Sequence, residues 1–388
     1  MKGRVEWLDG LRGLSCIMIF TAHFFLGFFP ATQFGTPSHG VFHWDEWLSV
    51  APIRCIFEGR FWVGLFCLIS GYVICLQVVR SKKKVNPLLF AVKRYFRLAP
   101  PVFFLSVVVW LMLFFGVFSH LACAEITGSE WLTTSYVGPV PFTDVLKEAL
   151  LLVWIEPHVA FSNAFWVLPV FFLGSFLAYG VGILTRLWEK RSLTSAVIIA
   201  AGGALLFFFQ QYYYLMVLLG AVLAAAIEKK KAEEKGFPLP VCILLIILGV
   251  VIASFPSNSC LGNSPAYYSA ALFLSRYTEN VHETAYLAGG FLVFFGLMRC
   301  DLFRKGLSKK LFQKLNEISY AVYLIHIPLI FSLSCFLFCR IYEGIHNYQV
   351  TALLVYVISL AVLILLSKLC TKYIEKPLYG FLKKLVDK

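Results

Sequence analysis

The chain has 388 residues, of which 60% are hydrophobic and 14% charged, with a mean hydropathy of +0.79. A soluble domain carries about 25% charged residues, so water is excluded as the main solvent of this one. The net charge of +13 sits on the flanks of apolar segments, which reads as membrane topology rather than nucleic-acid binding.

A helix of roughly 20 apolar residues crosses a hydrocarbon core about 30 Å thick, and its backbone groups must pair within the segment. On that rule, spans are expected over 11–30, 61–79, 98–118, 164–185, 194–210, 212–227, 238–255, 284–299, 316–338 and 350–370. The fifth and sixth are short and meet at Gln210-Gln211-Tyr212, which leaves one hairpin dipping into the membrane as the alternative. Basic residues favour cytoplasmic loops. With the N-terminus inside, 29 of the 34 Lys and Arg fall on inner connections and 5 on outer ones. The predicted fold is all-α, a polytopic bundle of about ten transmembrane helices with both termini cytoplasmic. It forms a single transmembrane domain over 1–388, in the cell membrane and in contact with its lipid. The first span is long and has no small-residue cleavage site, so no cleavable signal peptide is expected.

The 11 Cys show no pairs at metal spacing, and most lie within apolar spans, where a thiol acts as a small hydrophobe. No metal is expected. Cys55, Cys123 and Cys260 fall in outer connections, which leaves a disulfide open and its pairing undecided. The longest outer connection, Ser119 to Asn163, carries Glu125, Glu130, Trp131, Asp144, Glu148, Glu156 and His158. It is long enough to cover the outer mouth and bind a polar acceptor, or to be a solvated connection.

Ionisable groups inside a span are costly and mark candidate sites. The first helix carries Asp9 and Arg12 at its inner end and His23 in its apolar stretch. Eleven residues give a rise of about 16 Å and close to three turns, so Arg12 and His23 point to nearly the same side. A neutral imidazole suits a general base for a hydroxyl nucleophile; a packing histidine bonded to a neighbouring helix is the bland alternative. On the third helix, Arg94 and Arg97 share a face if the helix has begun, forming a guanidinium pair able to fork onto phosphates. Topology alone also explains those charges. In the ninth span Ser319, Tyr320, Tyr323 and His326 precede Pro328. His326 lies about 15 Å from the inner surface, the depth of His23. The two histidines and two tyrosines suggest a polar cavity, although the tyrosines also suit an interfacial belt.

Taken in order, Leu8-Asp9-Gly10-Leu11-Arg12-Gly13-Leu14 with His23, Phe66 to Ile74, Arg94 to Pro100, Ile318 to His326 and Tyr373-Ile374-Glu375-Lys376-Pro377 resemble acyltransferase family 3 along the whole chain. These are integral membrane enzymes that modify sugar hydroxyls of envelope polysaccharides and glycolipids. The resemblance implies a bundle of about ten helices, an acetyl-CoA or other acyl-CoA donor from the cytosol, and a sugar or glycolipid acceptor. It implies His23 as catalytic base with Arg12 as its partner in the same site, and Arg94 and Arg97 as donor-phosphate contacts; Asp9 is expected in the catalytic group with His23 and Arg12, and His326, Tyr323, Ser319, Trp166 and Ser70 as substrate-binding residues. Gly71 falls in a tightly packed turn of the second helix. After Trp166-Val167-Leu168-Pro169-Val170 many members carry Glu, whereas this chain has Phe171, so that carboxylate is absent or replaced by another such as Glu156.

The rival class is a transporter or export component, since buried His and Arg also describe proton-coupled carriers. The chain lacks the two related halves expected of one. A third reading, an inactive structural relative, rests on Phe171.

Overall fold

A computed structural model describes residues 5–81, 86–156, 164–230 and 236–380. These residues form helices and, among them, no strand. The long helices are α1 (Glu6–Phe28), α2 (Gly59–Arg80) and α3 (Pro87–Phe114). After two short helices, α4 (His120–Thr127) and α5 (Phe142–Leu150), come α6 (Leu168–Phe208), α7 (Tyr212–Lys230), α8 (Leu239–Ala253) and α9 (Val281–Arg299). The chain closes with α10 (Ser319–Leu329), α11 (Cys335–Ile345) and α12 (Tyr348–Cys370). Among the described residues seven segments are long and apolar enough to cross a membrane: Glu6–Phe28, Gly59–Arg80, Pro87–Phe114, Phe165–Leu187, Val281–Arg299, Ser319–Ile345 and Tyr348–Gly380. Leu193–Phe208, Tyr212–Glu228 and Leu239–Ala253 are apolar but shorter. The basic stretches at 82–84 and 231–235 and the loop residue His158 lie outside the described residues.

The contacts divide the chain into two interleaved units. The first comprises Met1–Ser15, Pro52–Pro87 and Val170–Lys314. Its helices pack through glycine, because small residues let membrane helices approach closely. A Cβ on Gly71 of α2 would lie 1.9 Å from the Val217 carbonyl oxygen of α7, and one on Gly220 of α7 would lie 2.0 Å from the Leu68 carbonyl oxygen. The expectation that Gly71 serves close packing holds. The pair α8 and α9 repeats the device, Gly249 and Gly289 facing each other's carbonyls at 2.7 and 2.4 Å from the positions of their missing Cβ atoms.

Two expected spans, 164–185 and 194–210, belong to one helical element, α6, of 41 residues. Residues 174 and 203 would stand about 43 Å apart in a straight helix. Yet a Cβ on Gly174 would sit 3.2 Å from Val217, and one on Gly203 3.4 Å from Leu218. The path of α6 therefore reverses between them, and the basic stretch from Arg186 continues in helical backbone rather than in an open loop. The turn at Gln210, with φ +56°, then starts α7.

The second unit comprises Cys16–Ala51, Leu88–Pro169 and Leu315–Lys388. Helix α3 begins at Pro87, well before the expected 98, because proline at a helix start loses no hydrogen bond. Pro328 cannot donate to the backbone ladder, and one turn later Ile330–Ser334 runs as a π-turn between α10 and α11. Ser332 Oγ donates to the Pro328 carbonyl at 2.6 Å and Ser334 Oγ to that of Leu329 at 3.3 Å, satisfying carbonyls loosened there. Helix α12 seals this end: Tyr356 stacks on Phe20 at 5.7 Å and shares a 2.8 Å hydrogen bond with Thr21.

Among the described residues no two of the eleven cysteines form a disulfide. Cys55 and Cys260 lie in the first unit and Cys123 in the second, where its thiol faces those of Cys335 and Cys339 on α11.

Candidate active site

Within the second unit, α1 and α10 bring two histidines side by side. The rings of His23 and His326 lie 5.0 Å apart, centroid to centroid, tilted by 54°. His23 Nδ1 is 2.8 Å from the Ile19 carbonyl oxygen, and His326 Nδ1 is 2.5 Å from that of Tyr323. A carbonyl only accepts, so in each neutral ring Nδ1 carries the proton and Nε2 the lone pair. The helix backbone thus fixes both tautomers.

The two differ in access. His23 is half-buried, whereas His326 is 1% exposed and its Nε2 has no hydrogen-bond partner among the described residues. A buried polar atom left unsatisfied costs about 1–3 kcal/mol, and such exceptions call for a reason. Tyr323 stands against His326 at 5.5 Å, its hydroxyl donating to the Ala164 carbonyl at 2.6 Å. Trp166 follows in the short turn Phe165–Val167, half-buried.

The outer connection reaches this pair. Trp131, in the turn Glu130–Thr133, lies 5.5 Å from the His23 ring and meets Phe331 edge-on at 4.8 Å. Ser129 Oγ holds the turn to the Leu26 carbonyl at 2.8 Å. A Cβ on Gly27 would be 3.5 Å from the Trp131 ring, so the indole lies along α1 from His23 to the next turn. Sequence reasoning named Trp131 as a loop residue without assigning it, because its place depends on a contact distant in sequence.

A second cluster gathers three motifs. Arg94 and Arg97 lie within α3, one turn apart on one face. The half-buried Arg94 is within electrostatic reach of Tyr320, whose hydroxyl donates to the Leu98 carbonyl at 2.9 Å. Arg97 is exposed, lies over the Tyr379 ring at 5.9 Å and attracts Glu375, which accepts from Thr371 at 3.4 Å. Glu317 and Lys376 pair at 3.6 Å. Ser319 donates to the Asn316 carbonyl at 3.0 Å, so its hydroxyl secures the start of α10.

Asp9, Arg12 and Ser70 belong to the first unit. Asp9 is half-buried in the first turn of α1, where a carboxylate complements the helix dipole. Arg12 lies over the Phe66 ring at 5.4 Å, and Phe66 packs on Phe171 at 5.1 Å. The position where the resemblance expects a carboxylate thus carries the aromatic support of the ring that Arg12 caps. Glu156 is exposed. Ser70 is buried beside Gly71 in α2. A cavity of about 530 Å³ between α6 and α7, lined by Ala196, Ile199, Leu215, Leu218 and Val222 among others, holds no ionisable group and is no chemical site. Among the described residues no group of three or more His, Cys, Asp or Glu gathers as for a metal.

Apolar helices long enough to span, two imidazoles side by side and two guanidinium groups one turn apart inside α3 describe a membrane protein with a polar site. Residues 5–372 match the model of acyltransferase family 3, an acyltransferase domain, and the chain belongs to that family. Neither the curated proteins nor the solved structures compared with the chain gave a match.

Proposed function

We propose that the chain moves an acetyl or other short acyl group from cytosolic acyl-CoA to a hydroxyl of a sugar, glycolipid or polysaccharide, with His23 as general base. The observation that carries this reading is the half-buried His23 ring, held with its lone pair on Nε2 by the Ile19 carbonyl. As the acceptor oxygen attacks the thioester carbonyl, Nε2 takes its proton; the carbon–sulfur bond breaks, and the imidazolium returns the proton to the CoA thiolate. Such base catalysis is worth about 10²–10⁴ in rate. Arg12, with Asp9 in the same helix turn, acts as its partner from lower on α1, and Arg94 with Arg97 holds the donor phosphates. Tyr323 and Trp166 belong to the acceptor side, and His326 stands behind His23 rather than against the acceptor. Ten crossings with both termini cytoplasmic, in the cell membrane, put the arginine pair on the donor side.

The test is transfer from labelled acetyl-CoA by the purified full chain. His23→Ala should lose transfer while keeping expression, thermal unfolding and acyl-CoA binding. Wild-type turnover in His23→Ala would defeat the assignment.

A further inference from the structure

His326 is a buried polar group of the second unit that stands beside the candidate base. Its Nδ1 is committed to the Tyr323 carbonyl, its Nε2 is buried with no hydrogen-bond partner among the described residues, and its ring lies 5.0 Å from that of His23. With 1% of the residue exposed, it is screened from a substrate that the half-buried His23 can touch. Pro328 and the π-turn Ile330–Ser334 come directly after it, so backbone geometry, and not a flexible loop, sets the ring's position.

We propose that His326 is the partner imidazole of His23, a buried neutral acceptor whose Nε2 lone pair steadies the imidazolium formed on His23 during transfer. The inference rests on the reading of His23 as the base. Two cationic rings at this separation in apolar surroundings repel strongly, so His326 stays neutral whenever His23 is charged. A neutral ring with a fixed dipole beside a developing cation needs no reorganisation when the charge appears, and such preorganised stabilisation speeds the step. No bond forms or breaks at His326: the acceptor proton stays on His23 until the thiolate takes it. His326 is therefore a positioning residue. The titratable groups facing it are His23 from α1 and, from its own helix, Tyr323, whose hydroxyl is held by Ala164. Trp131, packed on His23, carries no charge.

The experiment uses the purified full chain in a sugar-free detergent. It follows release of the CoA thiol from acetyl-CoA with water as the hydroxyl, alongside histidine ring NMR from pH 5 to 9. His326→Phe should lower kcat at least tenfold and move the acidic limb of the pH profile, with the His23 titration, to lower pH, because the charged form of His23 has lost its support. His326→Gln, which keeps an acceptor, should recover much of both. In the wild type the His326 ring should stay in the Nδ1–H neutral form across the range. A His326 that protonates before His23, or a His23 titration indifferent to His326→Phe, overturns the proposal. A rise in KM for a glycoside acceptor with kcat and pH profile unchanged overturns it in favour of direct acceptor contact. Loss of cleavage in neither His23→Ala nor His326→Phe would instead sink the reading of His23 as base.

Discussion

Arg54 and Glu58, four residues apart just before α2, form an ion pair of 3.1 Å whose side chains are 1% and 6% exposed. Arg54 also donates to the Phe255 carbonyl at 3.0 Å and to the Tyr286 hydroxyl at 3.1 Å, while Arg60 donates to the other Glu58 oxygen at 3.1 Å. Burial alone would raise the pKa of Glu58. Arg60 and Arg54 outweigh it and hold the carboxyl at about 2. A carboxylate depressed in this way stabilises the fold above its unfolded value of 4.5, and the contribution is lost as pH falls from there towards 2. Thermal unfolding in detergent should show that loss in the wild type and not in Glu58→Gln. The variant should be weaker by about 3–5 kcal/mol at neutral pH, because Arg54 keeps a buried charge without its counter-ion.

The contact between α2 and α7 predicts a mutational asymmetry. Gly71→Ala and Gly220→Ala each drive a methyl group into a backbone carbonyl, and a carbonyl in a helix cannot swing aside. Each should lower the melting temperature of the purified protein, with overpacking of about 1–3 kcal/mol. The double variant should lose less than the sum, since one separation of the helices admits both methyls. Gly180→Ala, with nothing within 4 Å of its Cβ position, serves as the silent control.

His120, at the start of α4, is 2% exposed among Phe118, Tyr136 and Phe331, and neither ring nitrogen has a hydrogen-bond partner among the described residues. Burial holds its pKa below the ordinary 6.5, so the folded protein keeps the neutral ring and loses stability as pH falls below that value. His120→Phe removes two unsatisfied atoms at similar shape. It should melt at or above the wild-type temperature and lose the pH dependence near 6; a marked drop in melting temperature at pH 8 would contradict this.

For the donor, Arg97→Ala should weaken CoA binding by tenfold or more in equilibrium titrations. Arg97→Lys should recover only part, because an ammonium cannot form a fork. Glu375 draws on the same guanidinium, so Glu375→Gln should tighten binding. Unchanged affinity in all three would return the basic pair to a topological role.

The apolar helices and the shared depth of His23 and His326 were legible because both derive from spacing along a helix of known rise. So was the face shared by Arg94 and Arg97. The early start of α3 was not, since Lys93, Arg94 and Arg97 lower the hydropathy of its first turns. The reversal within α6 was legible as the basic connection between two expected spans, whereas the helical backbone of that connection was not, because the basic stretch from Arg186 reads as a loop. Trp131 over His23 and Glu375 beside Arg97 depend on contacts between segments far apart in sequence, where periodicity carries no signal. The aromatic stack of Arg12, Phe66 and Phe171 likewise appears only in three dimensions.

The π-turn at Ile330–Ser334 changes what an insertion or deletion means in this helix. A π-turn holds one residue more than an α-turn of the same height. In an unbroken α-helix Cys335, nine residues after His326, would point about 180° away; with one residue absorbed it turns to about 80°, and it is fully buried. The segment therefore carries one surplus residue that the fold can give up: deletion of one residue within 330–334 restores α-helix and leaves Cys335 at about 80° from His326, so the residues on both sides keep their facing. The same deletion between Ser319 and Tyr323 would swing His326 away from His23. The helix thus has one place where its length can change without turning either half, and it lies just beyond the imidazole pair.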